Sequence, residues 1–248
     1  MPALENELDA NQSSFFVDWT QQASANWNAL RALPVYKKSY RHIAGLQALK
    51  NSIVIPNYDP EAAAFFFEAH NDAVVSHVSA SIGAWRSALQ ALRSCIENVL
   101  CAVYYKDHPI ERQLWAQSKF VIGFTELLRY CEQHPMLASP GPGVNGLELL
   151  KKEYSVLSKA VHASATNFRM TDGAASVLLW STDGVRASMW ATREQRTIEG
   201  ICLLLICLHS NEFQGARLMG IKEVMSLVIS ANKRNTLKRK LHITLPSS

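Results

Sequence analysis

The chain has 248 residues, 48% of them hydrophobic and 19% charged, which is long enough to bury a sizeable core and too apolar for a disordered chain. Of the 25 lysines and arginines, five stand in KRNTLKRK at 233–240, leaving 20 against 21 acidic residues elsewhere, so the body is near neutral and the basicity belongs to the C-terminal end. Five cysteines without a CxxC pair argue against a disulfide scaffold, and the acidic, polar start MPALENELDANQ argues against a signal peptide, so a cytoplasmic protein is expected.

The scarcity of helix breakers, with no proline between Pro142 and Pro246, predicts an all-α chain forming one helical domain over 1–248. A first helix is expected from Ser13 to Leu33, burying Phe15, Phe16, Trp19, Trp27, Leu30 and Leu33 and stopped by Pro34. A short helix from Ser39 to Lys50 then leads into NSIVIPNYDP, expected to be extended. Asp59 and Pro60 form a helix start, a capping carboxylate followed by proline in the first turn.

From Pro60 to Tyr105 only Gly83 interrupts the helical pattern. Its second half carries a seam of Ile82, Trp85, Leu89, Leu92, Ile96, Val99 and Val103 at spacings of three and four. YYKDHPIERQLW marks a corner, with Asp107 or His108 as cap and Pro109 in the first turn of a helix running to Gln133 and burying Ile110, Leu114, Val121, Phe124 and Leu128. After the loop HPMLASPGPGVNG, the positions Leu147, Leu150, Tyr154, Leu157 and Val161 form another seam.

Asp183-Gly184 between two apolar runs predicts a small β-hairpin near 175–190, with helix as the alternative. Two helices follow, Arg193 to Asn211 and Gly215 to Asn232. Within the first, ICLLLICL at 201–208 is far short of the roughly 20 residues of a membrane span and reads as a helix buried on all sides. The chain ends in a basic tail, 233–248, whose Lys233, Arg234, Lys238, Arg239 and Lys240 either hold nucleic-acid phosphates or solubilise a helix end.

Several motifs fail on context. Gly141, Gly143 and Gly146 spell G-x-G-x-x-G, but a dinucleotide site needs a strand before them, and here a helix and a proline-containing loop stand there. His70 and His77 share a helix face seven residues apart without a third ligand, so no metal or cofactor is expected, and both are read as histidines near the bundle surface. No G-x-S-x-G elbow is present.

One constellation remains. Lys151, Ser155, Ser158 and His162 form a polar stripe beside their seam, and Arg93 and Glu97 stand four apart beside theirs. If the two seams pack with these stripes on one side, Arg93, Glu97, Tyr154, Ser158 and His162 meet in one network. Such a network is either an acid–base site, with Glu97 holding one nitrogen of His162 while the other works as general acid or base and Arg93 steadies a phosphate, or a structural lock in which Glu97 neutralises Arg93 while Tyr154 and His162 satisfy the remaining lone pairs.

The pairing of Arg-Ser-x-x-Glu-Asn (Arg93, Ser94, Glu97, Asn98) and a Tyr-Tyr corner with Tyr-x-x-Leu-Ser-x-x-Val-His (Tyr154, Leu157, Ser158, Val161, His162) resembles helical bundles of the HEPN superfamily over residues 80–165. That resemblance implies a helical core, homodimerisation and metal-independent RNA cleavage in toxin or antiviral defence systems. The superfamily's catalytic signature sets an arginine four to six residues before the histidine, and upstream of His162 those positions hold no arginine. His162 would therefore depend on an arginine from another segment, Arg93 or Arg169. Two readings follow: a non-catalytic HEPN-like subunit that binds RNA, DNA or a protein partner, and an endoribonuclease built on His162 with a borrowed arginine.

Overall fold

The computed structural model describes residues 2–161 and 183–246, and every regular element among them is helical. The elements are α1 (Pro2–Arg31), α2 (Pro34–Leu49), a π-helical turn (Lys50–Val54), α3 (Ile55–Asn57), α4 (Pro60–Ser81), α5 (Trp85–Asp107), α6 (Pro109–Ala116), α7 (Phe124–Gln133), α8 (Pro135–Ala138), α9 (Leu147–Val161), α10 (Gly184–Leu208), α11 (Met219–Val228) and α12 (Ala231–Leu241). None of them is long and apolar enough to cross a membrane.

The centre is built from α4, α5, α9 and α10. Asp59 starts α4 as expected, its carboxylate accepting from the backbone N–H groups of Glu61 and Ala62 at 3.1 Å, and Arg112 then donates to both Asp59 and Glu61. Gly83, at φ +74°, turns the chain back so that α4 and α5 lie against each other. The expected seam of α5 is buried from Trp85 to Val103, and its small flank of Ala88, Cys95 and Ala102 lets neighbouring helices approach. On α10, Ile201 to Leu208 are all buried, in agreement with the apolar run being enclosed on every side.

Gly146 and Gly200 join α9 to α10. A Cβ on Gly146, whose φ is +79°, would lie 2.2 Å from the Gly200 carbonyl oxygen, and a Cβ on Gly200 would lie 2.8 Å from Leu150. The third glycine of the apparent dinucleotide motif is therefore a packing glycine at a helix crossing.

Several boundaries differ from expectation. The segment expected to be extended after α2 continues helically, widening into a π-helical turn that places Ile53 and Val54 in the core; Tyr58 and Asp59 are extended. The helix expected over 109–133 is split, because Ser118 adopts φ +57° and Lys119 bonds back to the Leu114 carbonyl, closing α6. Of the residues expected to be buried there, Ile110, Leu114 and Val121 are exposed, Phe124 is half-buried and Leu128 is buried.

Asp183 caps α10, accepting from the N–H of Val185, so the second arm of the expected hairpin is helix; its first arm lies outside the described residues. The expected basic tail is also structured, as α12 docks through Leu237 and the chain after it buries Ile243 and Leu245. Finally, α1 starts at Pro2, well before Ser13, yet buries only Asn26 and Leu30; Phe15, Phe16, Trp19 and Trp27 face solvent.

Gly146→Ala is expected to destabilise the fold by about 2–3 kcal/mol, through both the positive φ and the overlap with Gly200, as measured by urea denaturation.

Candidate functional site

Packing of α5 on α9 brings Arg93, Glu97, Tyr154 and Ser158 together. The Arg93 guanidinium donates to Glu97 at 3.0 Å, to the Tyr154 hydroxyl at 2.7 Å and, through Nε, to Ser158 at 3.3 Å. Tyr154 donates in turn to the same Glu97 oxygen at 2.8 Å, and Ser158 donates to the Tyr154 carbonyl. Phe124 of α7 stacks on Tyr154 at 3.4 Å between ring centroids, and the Arg93 guanidinium lies 4.9 Å from the centroid of the Tyr154 ring. Burial, then the bond to Glu97, raises the Tyr154 pKa, which keeps the phenol protonated as a donor.

Arg93 is thus held by three partners on its own and the adjacent helix, an arrangement that fixes α5 against α9. Its ion pair with Glu97 is about a quarter to a third exposed, so solvent screens it. His162 and Arg169 lie outside the described residues. Just before His162, Arg86 of α5 donates from Nε and Nη2 to the last carbonyls of α9, those of Ala160 and Val161, at 3.0 Å each. Arg86 stands on the polar flank of α5 in its first turn, and nothing in its spacing marks it as the cap of a distant helix.

The basic residues of α12 divide into two groups. Lys233 donates to the Gly143 carbonyl at 2.6 Å and Arg234 to the Pro246 carbonyl at 2.9 Å, tying the helix to the body. Lys238, Arg239 and Lys240 are exposed in the last turn, where their charge also complements the helix dipole.

A second cluster lies where α2, α4 and α10 meet, and it is more deeply buried. Glu194 of α10, 1% exposed, accepts from Ser39 at 2.6 Å on one carboxylate oxygen and is bonded to His42 Nδ1 at 2.6 Å on the other. Ser39 also meets His77 Nδ1 of α4 at 2.7 Å, and the His77 ring stacks on Tyr36 at 4.1 Å. Next to it, the Trp190 indole donates to Ser76 at 3.0 Å. His42 Nε2 is buried without a hydrogen-bond partner among the described residues. His77 is thus a member of a network tying three helices together. The missed residues, Ser39, His42 and Glu194, lie 155 positions apart at the extremes and carry no local spacing signal.

Two further carboxylates hold neighbouring helices. Glu153 of α9, 2% exposed, accepts from both Arg193 and Arg196 of α10, and Glu199 accepts from the Ser230 N–H at the start of α12. The four thiols Cys95, Cys131, Cys202 and Cys207 are buried and Cys101 partly so, and burial raises all five pKa values, to about 12 for Cys101, Cys131 and Cys207. They are inert core groups at neutral pH. No group of metal-binding side chains occurs among the described residues.

Compared with known proteins, the chain matches no family model, no curated protein and no solved structure.

Removing the Glu194 carboxylate strands His42 and Ser39 in the core, so Glu194→Ala is expected to cost about 3–5 kcal/mol of stability, against about 1 kcal/mol or less for the half-screened Arg93→Ala; urea denaturation of both variants measures the ratio. Burial lowers the pKa values of His70, His77, His134 and His209 below the ordinary 6.5. These rings stay neutral in the fold while the unfolded chain takes up protons, so stability rises with pH through the region below 6.5 and is lost as pH falls. The melting temperature should drop between pH 7.5 and pH 5, and drop less in His77→Asn.

Proposed function

We propose that the protein is a non-catalytic helical subunit that works by assembly, with α1 as its docking arm and a second copy of the chain as its partner. The observation that carries this reading is α1 itself. Residues 3–22 are exposed throughout, and seven large apolar side chains on α1, namely Leu4, Leu8, Phe15, Phe16, Val17, Trp19 and Trp27, are 39–60% exposed. A helix draws most of its stability from packing an apolar face, and among the described residues only Asn26 and Leu30 of this one are buried.

The arm suits self-pairing. Its exposed apolar side chains offer on the order of 700 Å², close to the roughly 800 Å² per partner of a stable interface. Phe15, Phe16, Val17 and Trp19 cluster at its middle, where a two-fold axis would let each copy meet the same residues of the other. Glu5, Glu7 and Asp9 crowd one end, so an antiparallel pair separates the like charges that a parallel pair would stack. The homodimer implied by the HEPN resemblance agrees with this reading, and a place in a bacterial defence or toxin-type system is proposed on that resemblance alone. The engagement of Arg93 by Glu97, Tyr154 and Ser158 supports the non-catalytic side of the proposal.

A second partner class is supported by one observation, the exposed Lys238-Arg239-Lys240 run, which suits RNA or DNA phosphates.

Light scattering behind size exclusion should find the wild-type chain as a dimer at micromolar concentration and Phe15→Ser/Phe16→Ser/Trp19→Ser as a monomer with an unchanged core. A monomeric wild type would remove the assembly reading. Reversing Lys238, Arg239 and Lys240 to glutamate should abolish any salt-dependent binding to labelled RNA while leaving the dimer intact; cleavage of that RNA in EDTA would overturn the non-catalytic reading.

A further inference from the structure

Charge is sorted along the first two helices. Residues 1–18 hold four acids, Glu5, Glu7, Asp9 and Asp18, and no lysine, arginine or histidine, whereas residues 19–58 hold five lysines and arginines and no acid. Glu5, Glu7 and Asp9 lie at the tip of α1; Arg31, Lys37, Lys38 and Arg41 lie at its foot, where only Ala32 and Leu33 separate it from α2. All seven side chains are exposed. Lys38 donates to the Gln195 side-chain oxygen, and among the described residues the other six form no ion pair. From Glu5 to Arg31 the helix rises about 39 Å, several times the roughly 10 Å over which exposed charges act on each other. The acids and the bases of one copy therefore cannot neutralise each other.

Between two copies they can. With a two-fold axis through the Phe15–Trp19 cluster at Val17, Glu5 lies about 18 Å to one side along the helix and Arg31 about 21 Å to the other. In an antiparallel pair the partner's Glu5 then stands level with residue 29, about 3 Å along the axis from Arg31 and beside the start of α2. Trp27, 59% exposed, falls level with the partner's Glu7, between the partner's Leu4 and Leu8, so apolar contact runs from the middle of the arm up to the charges. Glu5 and Asp9 stand four apart and share one side of α1, as Lys37 and Arg41 share one side of α2, so each pair can act on one opposing surface.

We propose, resting on the assembly reading above, that the acidic tip of each α1 docks on the basic foot of a second copy, Glu5 and Asp9 against the partner's Arg31, Lys37 and Arg41. One dimer then holds two identical acid–base contacts, one on either side of its apolar middle. An apolar seam alone tolerates a slip of a turn or a reversal of direction, and the charges at its ends remove both freedoms. A parallel pair sets tip on tip and foot on foot, placing like charges together at both ends. The same sorting closes the assembly, because in the two-fold pair both tips and both feet are in use and neither copy offers a foot to a third.

Sedimentation equilibrium of the full chain over a dilution series, at about 0.05 M and about 0.5 M NaCl, tests the contact through charge reversals at exposed positions. Glu5→Lys/Asp9→Lys and Lys37→Glu/Arg41→Glu are each expected to weaken the dimer roughly tenfold or more at low salt, and much less at high salt. Mixed in equal amounts, the two variants should associate as tightly as the wild type, because every tip then meets a foot of opposite sign. The chain carrying all four substitutions should recover as a homodimer for the same reason. Such recovery separates a lost charge contact from fraying of α1 or misfolding, neither of which mixing repairs. A foot reversal that leaves the dimer unchanged, or a mixture no tighter than its components, would overturn the proposal while leaving the paired arms in place; a wild-type chain that stays monomeric would remove the assembly reading itself.

Discussion

Eight consecutive apolar residues, Ile201 to Leu208, leave the second half of α10 without a polar face, so the other helices have to enclose it. That constraint orders the fold. Helices α2, α5, α9 and α11 all pack on α10, and α4 packs along α5. An amphipathic helix buries one stripe and tolerates many arrangements around it; a helix apolar all round admits only an inner position. Gly200, at the start of this run, opens the space in which Gly146 and Leu150 come close, and so fixes how deeply α9 sits.

The first half of α10 specifies which helix lies where. Glu194 binds α2 and, through Ser39, meets α4; Arg193 and Arg196 take Glu153 of α9; Glu199 holds the first N–H of α12. Apolar packing is nearly indifferent to a helix sliding by one turn, whereas a carboxylate displaced by a turn loses every donor and is left charged in the core. The enclosed half of α10 therefore supplies most of the burial and its polar half supplies the addresses. The same division explains why the Arg93 network, shallower and partly solvated, sits outside this hub and secures only the α5–α9 pair.

Helical periodicity and caps made much of this legible in the sequence. The Asp59 cap, the Gly83 break, the α5 seam, the α9 seam and the enclosed run on α10 all follow from local patterns that act within a few residues. The meeting of Arg93, Glu97, Tyr154 and Ser158 was also legible, because each pair shares a helix face beside a seam. What escaped was non-local or depended on a partner. Ser39, His42 and Glu194 lie far apart in sequence and meet only through the packing of α2 on α10. The apolar residues of α1 have the composition of a core helix, and composition does not tell a face buried on its own body from one left outside. The Asp183-Gly184 pair suits a hairpin turn and a helix cap equally, since both use a short carboxylate to accept backbone N–H groups.

The attachment of α1 has a mechanical consequence. Among the described residues the helix is buried at one end, around Asn26 and Leu30, with Leu33 extended before Pro34 restarts the chain as α2. From Leu30 to Leu4 the rise is about 39 Å at 1.5 Å per residue. A rotation of only about 5° at the base sweeps the tip through roughly 3 Å, more than half the pitch of a helical turn. Small adjustments in how two turns of α1 seat on α2 and α4 are thus amplified at the far end, and the angle between two joined bodies would be set by a handful of side chains around Leu30.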